Sequence, residues 1–161
     1  MIVVVMGVAG AGKTTVGRQL AETLSWLFLD ADTFHSPENV RKMASGEALT
    51  DEDRAPWLLA MRATLIERTA NSTNVILACS ALKERYRDVL RVEEAPTRFV
   101  YLKGDRSLLQ QRLRERPGHF MKETMLDSQL AALEDPTDAI VVGIDQPLPQ
   151  IVEQIRAALG V

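Results

Sequence analysis

Short runs of apolar residues alternate along this chain with longer segments in which apolar residues recur at helical spacing. The short runs are rich in branched aliphatic side chains and end at turn or polar residues, as buried parallel strands do. The pattern predicts five strands, over residues 2–6, 27–29, 75–79, 98–102 and 139–142. Strands that alternate with helices predict an α/β fold, in which one parallel sheet lies between two layers of helices.

The predicted helices carry the residues that commonly begin helices. Ser36 precedes Pro37 at one start, and Thr50 precedes three acidic residues at the next, where negative charge suits the positive helix end. Asp105 is the predicted N-cap of a later helix. The helices are predicted over residues 13–24, 37–46, 50–70, 83–92, 105–116, 122–133 and 149–159. No repeat or linker interrupts them, so residues 1–161 are predicted to form a single domain.

Charge and cysteine content narrow the classes of partner. The chain has 161 residues, with 19 Lys and Arg against 22 Asp and Glu, and its net charge is −3. This near balance argues against nucleic acid or an anionic membrane as the partner and favours a small molecule. Cys79 is the single cysteine, so no internal disulfide can form, and we expect a small buried side chain in a cytoplasmic protein.

The first strand runs directly into residues 7–14, GVAGAGKT, which match the phosphate-loop pattern G-x-x-x-x-G-K-[ST]. Glycines let the backbone N–H groups turn toward phosphate oxygens, and the following helix adds the positive end of its dipole. Lys13 is predicted to neutralise the β- and γ-phosphates of ATP, and the Thr14 hydroxyl to ligate Mg²⁺. The predicted nucleotide-binding residues of the loop are Gly7, Val8, Ala9, Gly10, Ala11, Gly12, Lys13, Thr14 and Thr15.

The rest of the chain resembles a kinase more than a GTPase. The Asn-Lys-x-Asp and Asp-x-x-Gly motifs of GTP-binding switches do not occur in it. The arginine-rich helix over 105–116 and the Pro-Gly step after it resemble the lid region of adenylate and shikimate kinases, here at about residues 112–125. Arginines near a helix end are often only exposed. In lid kinases an arginine here stabilises the transferring phosphoryl group, and Arg112 and Arg116 are the catalytic candidates, with Arg112 also at the nucleotide.

Eight further blocks resemble the gluconokinases and cover nearly the whole chain in order. They are DADTFH (30–35), KMASG (42–46), DEDRAPWL (51–58), CSALK (79–83), YRD (86–88), YLKGD (101–105), GHF (118–120) and DQPL (145–148). The chain departs from the family where Ala31 replaces a glycine and where Ala9 and Ala11 replace serines of the phosphate loop. Gln146 and Pro147 resemble the family loop that borders the adenine ring.

Two aspartates follow the second predicted strand, at the edge of the sheet where open α/β folds bind ligands. Asp32 is a candidate for orienting the acceptor hydroxyl and taking its proton. Asp30 either holds Mg²⁺ through water or caps a turn.

The remaining acceptor candidates each have a plain structural alternative. His35 binds the polyol or is a packed side chain, and Arg54 binds the carboxylate of a sugar acid or forms a surface ion pair. Ser80 and Lys83 follow the third strand, where shikimate kinases line their acceptor site; the alternatives are helix capping and a solvated lysine. His119, beyond the lid turn, is a weaker candidate.

The resemblance implies ATP-dependent phosphorylation of D-gluconate to 6-phosphogluconate, with Mg²⁺ as cofactor, in a homodimer. One alternative is a kinase of the shikimate-kinase type that acts on another small polyol or acid. Another is a nucleotide-binding protein that has kept the phosphate loop but has no acceptor site. The Asp32-to-His35 block and Arg54 favour the first reading.

Overall fold

The molecule has three layers, a parallel sheet with helices on both faces. The computed structural model describes residues 1–117 and 119–161, and for residues 119–123 it describes the backbone but not the side chains. The strands are β1 (Ile2–Met6), β2 (Leu27–Asp30), β3 (Val75–Ala78), β4 (Thr97–Lys103) and β5 (Ile140–Gly143). The helices are α1 (Lys13–Leu24), α2 (Pro37–Ala44), α3 (Asp51–Ala70), α4 (Glu84–Leu90), α5 (Arg106–Arg114), α6 (His119–Ala132) and α7 (Leu148–Leu159). The predicted α/β fold is confirmed.

Two details of the chain differ from the predicted elements. A short 3-10 turn, Ala31–Phe34, follows β2 directly and was not predicted. Helix α6 begins at His119, earlier than the predicted start at residue 122. The ends of several strands and helices also shift by a residue or two, because capping and fraying set an element's ends more than its apolar period does.

The strand order is β2-β3-β1-β4-β5, and every neighbouring pair is parallel. Strand β1 therefore lies at the centre, with β3 on one side and β4 on the other. All five of its side chains are buried, which explains its uninterrupted apolar run. The loop that follows β1 lies at the carboxyl edge of the sheet, between the β2–β3 half and the β4–β5 half.

Alternate residues of β1 face two separate cores. Val3 and Val5 pack with apolar side chains of α1, α5, α6 and α7. Ile2, Val4 and Met6 face the opposite side, where α3 and α4 cover the sheet. The predicted N-caps hold these helices, since Ser36, Thr50 and Asp105 each accept a backbone N–H at 3.0 to 3.1 Å. Within the described residues, no helix has the length and apolar character to cross a membrane.

Candidate active site

The phosphate loop, residues 7–14, connects the end of β1 to the first turn of α1. Gly10 and Gly12 adopt left-handed φ angles of 84° and 89°, which a side chain would disfavour. A Cβ atom on Gly10 would also lie 3.0 Å from the carbonyl oxygen of Leu109 in α5. Gly12 is the N-cap of α1 and has no side chain to satisfy the N–H groups of the helix start. The loop therefore presents backbone donors and a positive helix end, which together favour a phosphate.

Lys13 lies along this loop. Its Nζ donates a hydrogen bond of 3.1 Å to the carbonyl oxygen of Val8. Burial lowers the pKa of Lys13, and the Arg116 guanidinium lowers it further, whereas the carboxylates of Asp32 and Asp30 raise it. The structure thus brings four predicted site residues within electrostatic reach of one another.

Thr14 and Asp30, the two predicted magnesium ligands, are in contact. The Thr14 hydroxyl donates a 2.9 Å hydrogen bond to Oδ2 of Asp30, at the end of β2. The other carboxylate oxygen accepts the N–H of Asp32 at 3.0 Å and begins the 3-10 turn. Asp30 therefore caps a turn with one oxygen, and its second oxygen lies beside the predicted magnesium ligand.

A cavity of about 190 Å³ opens beside the loop, where α1, α5 and α7 meet. Its lining combines predicted nucleotide-binding or catalytic residues with apolar residues that the sequence did not single out. The predicted residues are Gly10, Ala11, Gly12, Thr15, Arg112, Arg116 and Gln146, and the others are Val16, Leu148 and Ile151. Because these apolar residues follow an ordinary helical period, nothing in the sequence separates them from the core.

Two polar side chains of this cavity are fixed by the end of β5 and the loop that follows it. Arg112 donates from Nη2 to the carbonyl oxygen of Ile144 at 2.7 Å. Gln146 donates from Nε2 to the carbonyl oxygen of Gly143 at 2.8 Å, and Pro147 after it is the N-cap of α7. A pocket with an apolar wall and a few oriented polar groups suits a nucleotide.

The turn that carries Asp32 lies on the β2 side of the sheet, and a hydrogen bond from Trp57 of α3 stabilises it. The indole N–H of Trp57 donates to the carbonyl oxygen of Ala31 at 2.7 Å. His35 stacks on the same indole, with ring centroids 4.5 Å apart and an angle of 7° between the ring planes. Asp32 itself is exposed at this surface. The turn therefore presents a carboxylate and an imidazole on one rigid support.

His35 is packed against Trp57, which is the structural alternative to a substrate-binding role that the sequence left open. Its Nδ1 is buried and has no hydrogen-bond partner among the residues that the structure describes. Burial lowers the pKa of His35, and Arg54 lowers it too, while Asp32 opposes them. The imidazole is therefore neutral at pH 7.

Three cations surround one ring and one carboxylate at the start of α3. We call Asp51, Arg54, Lys83, Arg85 and Tyr86 the acceptor cluster. The Tyr86 hydroxyl and the Arg85 guanidinium both donate to the Asp51 carboxylate, and Lys83 Nζ lies 3.6 Å from its Oδ1. Arg54 and Lys83 each lie 5.8 Å from the centroid of the Tyr86 ring. The cluster has more positive than negative charge, which favours an anionic acceptor.

The sequence predicted Arg54 and Lys83 of the acceptor cluster. It did not predict Asp51 as a member, which joins Lys83 to Tyr86. Asp51 was predicted only as an acidic residue at a helix start, but the Tyr86 hydroxyl lowers its pKa, and Arg85 and Lys83 add to that effect. Arg54 donates to the carbonyl oxygen of Leu49 at 2.6 Å. Arg85 and Tyr86 lie 34 and 35 residues beyond Asp51, so spacing alone could not identify them as its partners.

Ser80 lies where the acceptor side meets the phosphate loop. Its carbonyl oxygen accepts the N–H of Gly7 at 3.4 Å, which joins the end of β3 to the start of the loop. Cys79, just before it, is buried as predicted, and burial raises the pKa of its thiol to about 12. The thiol is therefore protonated at neutral pH.

A buried arginine of the YRD block, for which no role was predicted, supports the loop between β3 and α4. Arg87 is fully buried. It donates to the carbonyl oxygens of Ala81 and Leu82 and to the carboxylate of Glu84, at 2.6 to 3.2 Å. Ala81 has a left-handed φ angle of 45°, uncommon for a residue with a side chain. Arg87 thus stabilises the strained loop on which Lys83 lies.

The predicted lid is described only in part. Arg112 lies in α5, and Arg116, just after that helix, is exposed at the rim of the cavity. Residue 118 and the side chains of residues 119–123 lie outside the described residues, and the prediction for His119 falls there.

Phosphate loops of this kind bind nucleoside triphosphates, and here a second polar face lies beside the loop. A protein that only binds or hydrolyses nucleotide does not need this second face. The fold and the site together define a P-loop kinase that acts on a small molecule.

Comparisons with known proteins agree with this class and narrow it. The family model described as Shikimate kinase matches residues 9–159. The thermoresistant gluconokinase of Escherichia coli (strain K12) is 44% identical, over 94% of this chain and 89% of that protein. The solved structure of a gluconokinase from Sinorhizobium meliloti 1021 is 46% identical with a TM-score of 0.85, over 98% of this chain and 90% of that one. A sugar kinase from Janibacter sp. HTCC2649 has a TM-score of 0.90 at 43% identity, over 99% and 94%. The chain belongs to the shikimate kinase family and, within it, to the gluconokinases.

Proposed function

We propose that this protein transfers the γ-phosphoryl group of ATP to the terminal hydroxyl of D-gluconate, giving 6-phosphogluconate and ADP. The observation that carries the proposal is the acceptor cluster, which holds surplus positive charge on the side of the phosphate loop where Asp32 lies. A sugar acid has the carboxylate that such a site attracts and the hydroxyls that its other groups can bind. The relatives named gluconokinase support the same acceptor.

On the nucleotide side, the backbone of the phosphate loop grips the triphosphate and Lys13 neutralises charge on its terminal phosphates. The cavity beside the loop receives the nucleoside, with Gln146 and Pro147 at its border. Arg112 and Arg116 supply positive charge to the phosphoryl group as it is transferred. Lys13, Arg112 and Gln146 each donate a hydrogen bond to a backbone carbonyl oxygen, which fixes these three side chains beside the loop.

The oxygen donors at the loop suit Mg²⁺. A hydroxyl from Thr14 and a carboxylate from Asp30 lie 2.9 Å apart, and magnesium favours such oxygen ligands together with water and phosphate oxygens. When bound, Mg²⁺ would neutralise charge on the β- and γ-phosphates. Thr14 would hold it directly and Asp30 through water.

On the acceptor side, Arg54 pairs with the gluconate carboxylate, while Lys83, Ser80 and His35 bind its hydroxyls. Asp32 accepts the hydrogen bond of the reacting hydroxyl and so orients its oxygen toward the γ-phosphorus. As the new P–O bond forms and the bond to ADP breaks, the hydroxyl proton passes to Asp32 and then to solvent. Closure of the lid over about residues 112–125 excludes water that would otherwise compete as the acceptor.

Cellular location and oligomeric state belong to the same proposal. A cytoplasmic location is supported by the single, buried cysteine. The homodimer implied by the gluconokinase resemblance stays a prediction.

An ADP-release assay with a panel of acceptors tests the proposal. With MgATP present, we expect D-gluconate to give the highest kcat/KM, well above shikimate and glycerate. Equal turnover of all acceptors, or preference for shikimate, would contradict it. ATP hydrolysis unaffected by any acceptor would instead favour a nucleotide-binding protein without an acceptor site.

The Arg54→Lys variant sharpens the test, because lysine keeps the charge but loses the paired N–H groups that match a carboxylate. We expect the KM for gluconate to rise by about tenfold, while the KM for ATP stays near the wild-type value. Arg68, exposed near the end of α3, provides the matched Arg68→Lys control, which should change neither KM.

A further inference from the structure

The phosphate loop is held near its tip by a side chain from a distant helix. The N–H of Ala9 donates a hydrogen bond of 2.7 Å to Oε1 of Gln129, which lies in α6, half-buried. Ala9 is one of the loop residues predicted to face phosphate, but here its N–H points to a protein oxygen. Gln129 matches no motif that the proposed function uses. The contact therefore gives the loop a fixed point outside its own turn.

Helix α5 supports the same loop from another direction. The carbonyl oxygen of Leu109 lies only 3.0 Å, and Cγ of Leu113 only 3.2 Å, from the place where a Cβ on Gly10 would be. An ion pair of 2.6 Å between Arg106 and Asp127 also joins α5 to α6. The two helices that contain parts of the predicted lid therefore both contact the phosphate loop, α5 by packing and α6 by a directional hydrogen bond.

The segment just after α6 contacts the acceptor side as well. Glu134, little more than one turn beyond Gln129, donates its N–H to the carbonyl oxygen of Leu82 at 2.8 Å. Its carboxylate accepts the N–H of Glu84 at 2.7 Å. Leu82 and Glu84 flank Lys83 of the acceptor cluster. One short segment thus holds both the phosphate loop and the loop that carries Lys83.

We infer that Gln129 is a positioning residue for phosphoryl transfer. Through the Ala9 N–H it sets the place of the phosphate loop relative to the acceptor loop, which Glu134 holds. The reacting atoms of an in-line transfer must lie about 3 to 3.5 Å apart, and a displacement of about 1 Å costs on the order of a hundredfold in rate. The inference rests on the proposed function, since it needs a transfer between two bound substrates.

Two substitutions separate this role from simple packing. Gln129→Leu keeps the size and helix propensity of the residue but cannot accept the Ala9 N–H, so we expect kcat to fall by about ten- to a hundredfold. The dissociation constant of ADP, measured by calorimetry, should change by less than about threefold, because the other loop donors remain. Gln129→Glu still accepts the N–H and should keep kcat within about threefold, while its negative charge near the triphosphate raises the KM for ATP.

Ser128→Ala provides the control on the same helix, since its exposed hydroxyl bonds only the carbonyl oxygen of Met125 in the hydrogen bonds described. It should leave kcat and both KM values at the wild-type level.

A Gln129→Leu variant with wild-type kcat would overturn the inference, and so would a Gln129→Glu variant that loses as much kcat as Gln129→Leu. If Gln129→Leu does not fold, Gln129→Met, which is unbranched and has no acceptor oxygen, takes its place and should show the same loss of kcat. If the wild-type enzyme does not phosphorylate gluconate, the proposed function is refuted instead. The Gln129 comparison would then be made with the acceptor that the enzyme does phosphorylate.

Discussion

The two halves of the site, on either side of β1, are built by different means. On the β4–β5 side, backbone makes the nucleotide site, with glycines at left-handed angles, an uncapped helix start and carbonyl oxygens that orient Arg112 and Gln146. On the β2–β3 side, side chains make the acceptor site, and they hold one another through Asp51, Tyr86 and Trp57. Backbone geometry can serve any nucleoside triphosphate, whereas specificity for one acceptor depends on a particular set of side chains.

This difference leads to distinct expectations for substitutions in each half. A change on the nucleotide side should reduce turnover of every acceptor, with little loss of stability. A change on the acceptor side should affect stability and acceptor binding together, because the same side chains that bind the acceptor also pack the loops. Three substitutions test this contrast, beginning with the largest expected effect.

Lys13→Ala should abolish most of the transfer activity on the nucleotide side. Removing one preorganised positive donor from the transferring phosphates raises the barrier by about 4 kcal/mol, or about a thousandfold in kcat. Stability should not fall, because burial already disfavours the charged form of this side chain, as its lowered pKa indicates. Steady-state kinetics and thermal unfolding check both parts. A kcat within threefold of the wild type would remove Lys13 from the mechanism.

Arg87→Met should mainly reduce stability and acceptor binding. Methionine fills much of the same volume but leaves the carbonyl oxygen of Ala81 without the Arg87 donor and that of Leu82 with the Glu134 N–H alone, which we expect to cost about 3 kcal/mol. The KM for gluconate should rise while the KM for ATP changes little, since the affected loop carries Lys83. Urea unfolding and steady-state kinetics measure these effects.

Arg91→Met is the matched control for Arg87→Met. Its ion pair with Asp138 is partly exposed, so its loss should cost less than about 1 kcal/mol. Equal destabilisation by the two substitutions would show that the buried position of Arg87 has no special importance.

His35→Gln should give the smallest effect, visible as a change in pH dependence. The pKa of His35 is lowered in the folded state, so below about pH 6.5 the unfolded chain binds more protons and the folded state loses stability as pH falls. Glutamine cannot take up this proton. The difference in thermal midpoint between the wild type and the variant should therefore shrink from pH 7.5 to pH 5. A constant or growing difference would mean that the stacked imidazole is not held in its neutral form.

The nucleotide half was more predictable from the sequence than the acceptor half. The phosphate-loop pattern names residues that are adjacent in the chain, so their spacing alone predicts the turn, the helix start and the position of Lys13. Apolar periodicity likewise predicted the strands and helices of the α/β fold, because each element's period is local. The N-caps Ser36, Thr50 and Asp105 were also predicted correctly, for the same reason.

Contacts between residues far apart in the chain could not be predicted in this way. Nothing local to Arg87 indicates that it is buried, and nothing local to Gln129 indicates that it meets Ala9. Asp51 resembled any acidic residue at a helix start, although it joins Tyr86, Lys83 and Arg85. The resemblance to gluconokinases selected blocks that contain several of these residues, but a block does not state which partner each side chain meets.

The hydrogen bond between Thr14 and Asp30 fixes the direction of the hydroxyl proton as well as the distance between the two oxygens. A carboxylate can only accept, so the threonine proton must lie on the side of Asp30, and the lone pairs of the hydroxyl oxygen remain for something positive. A cation that binds here therefore meets the lone pairs of the hydroxyl oxygen, and the hydroxyl proton does not have to move before the cation binds.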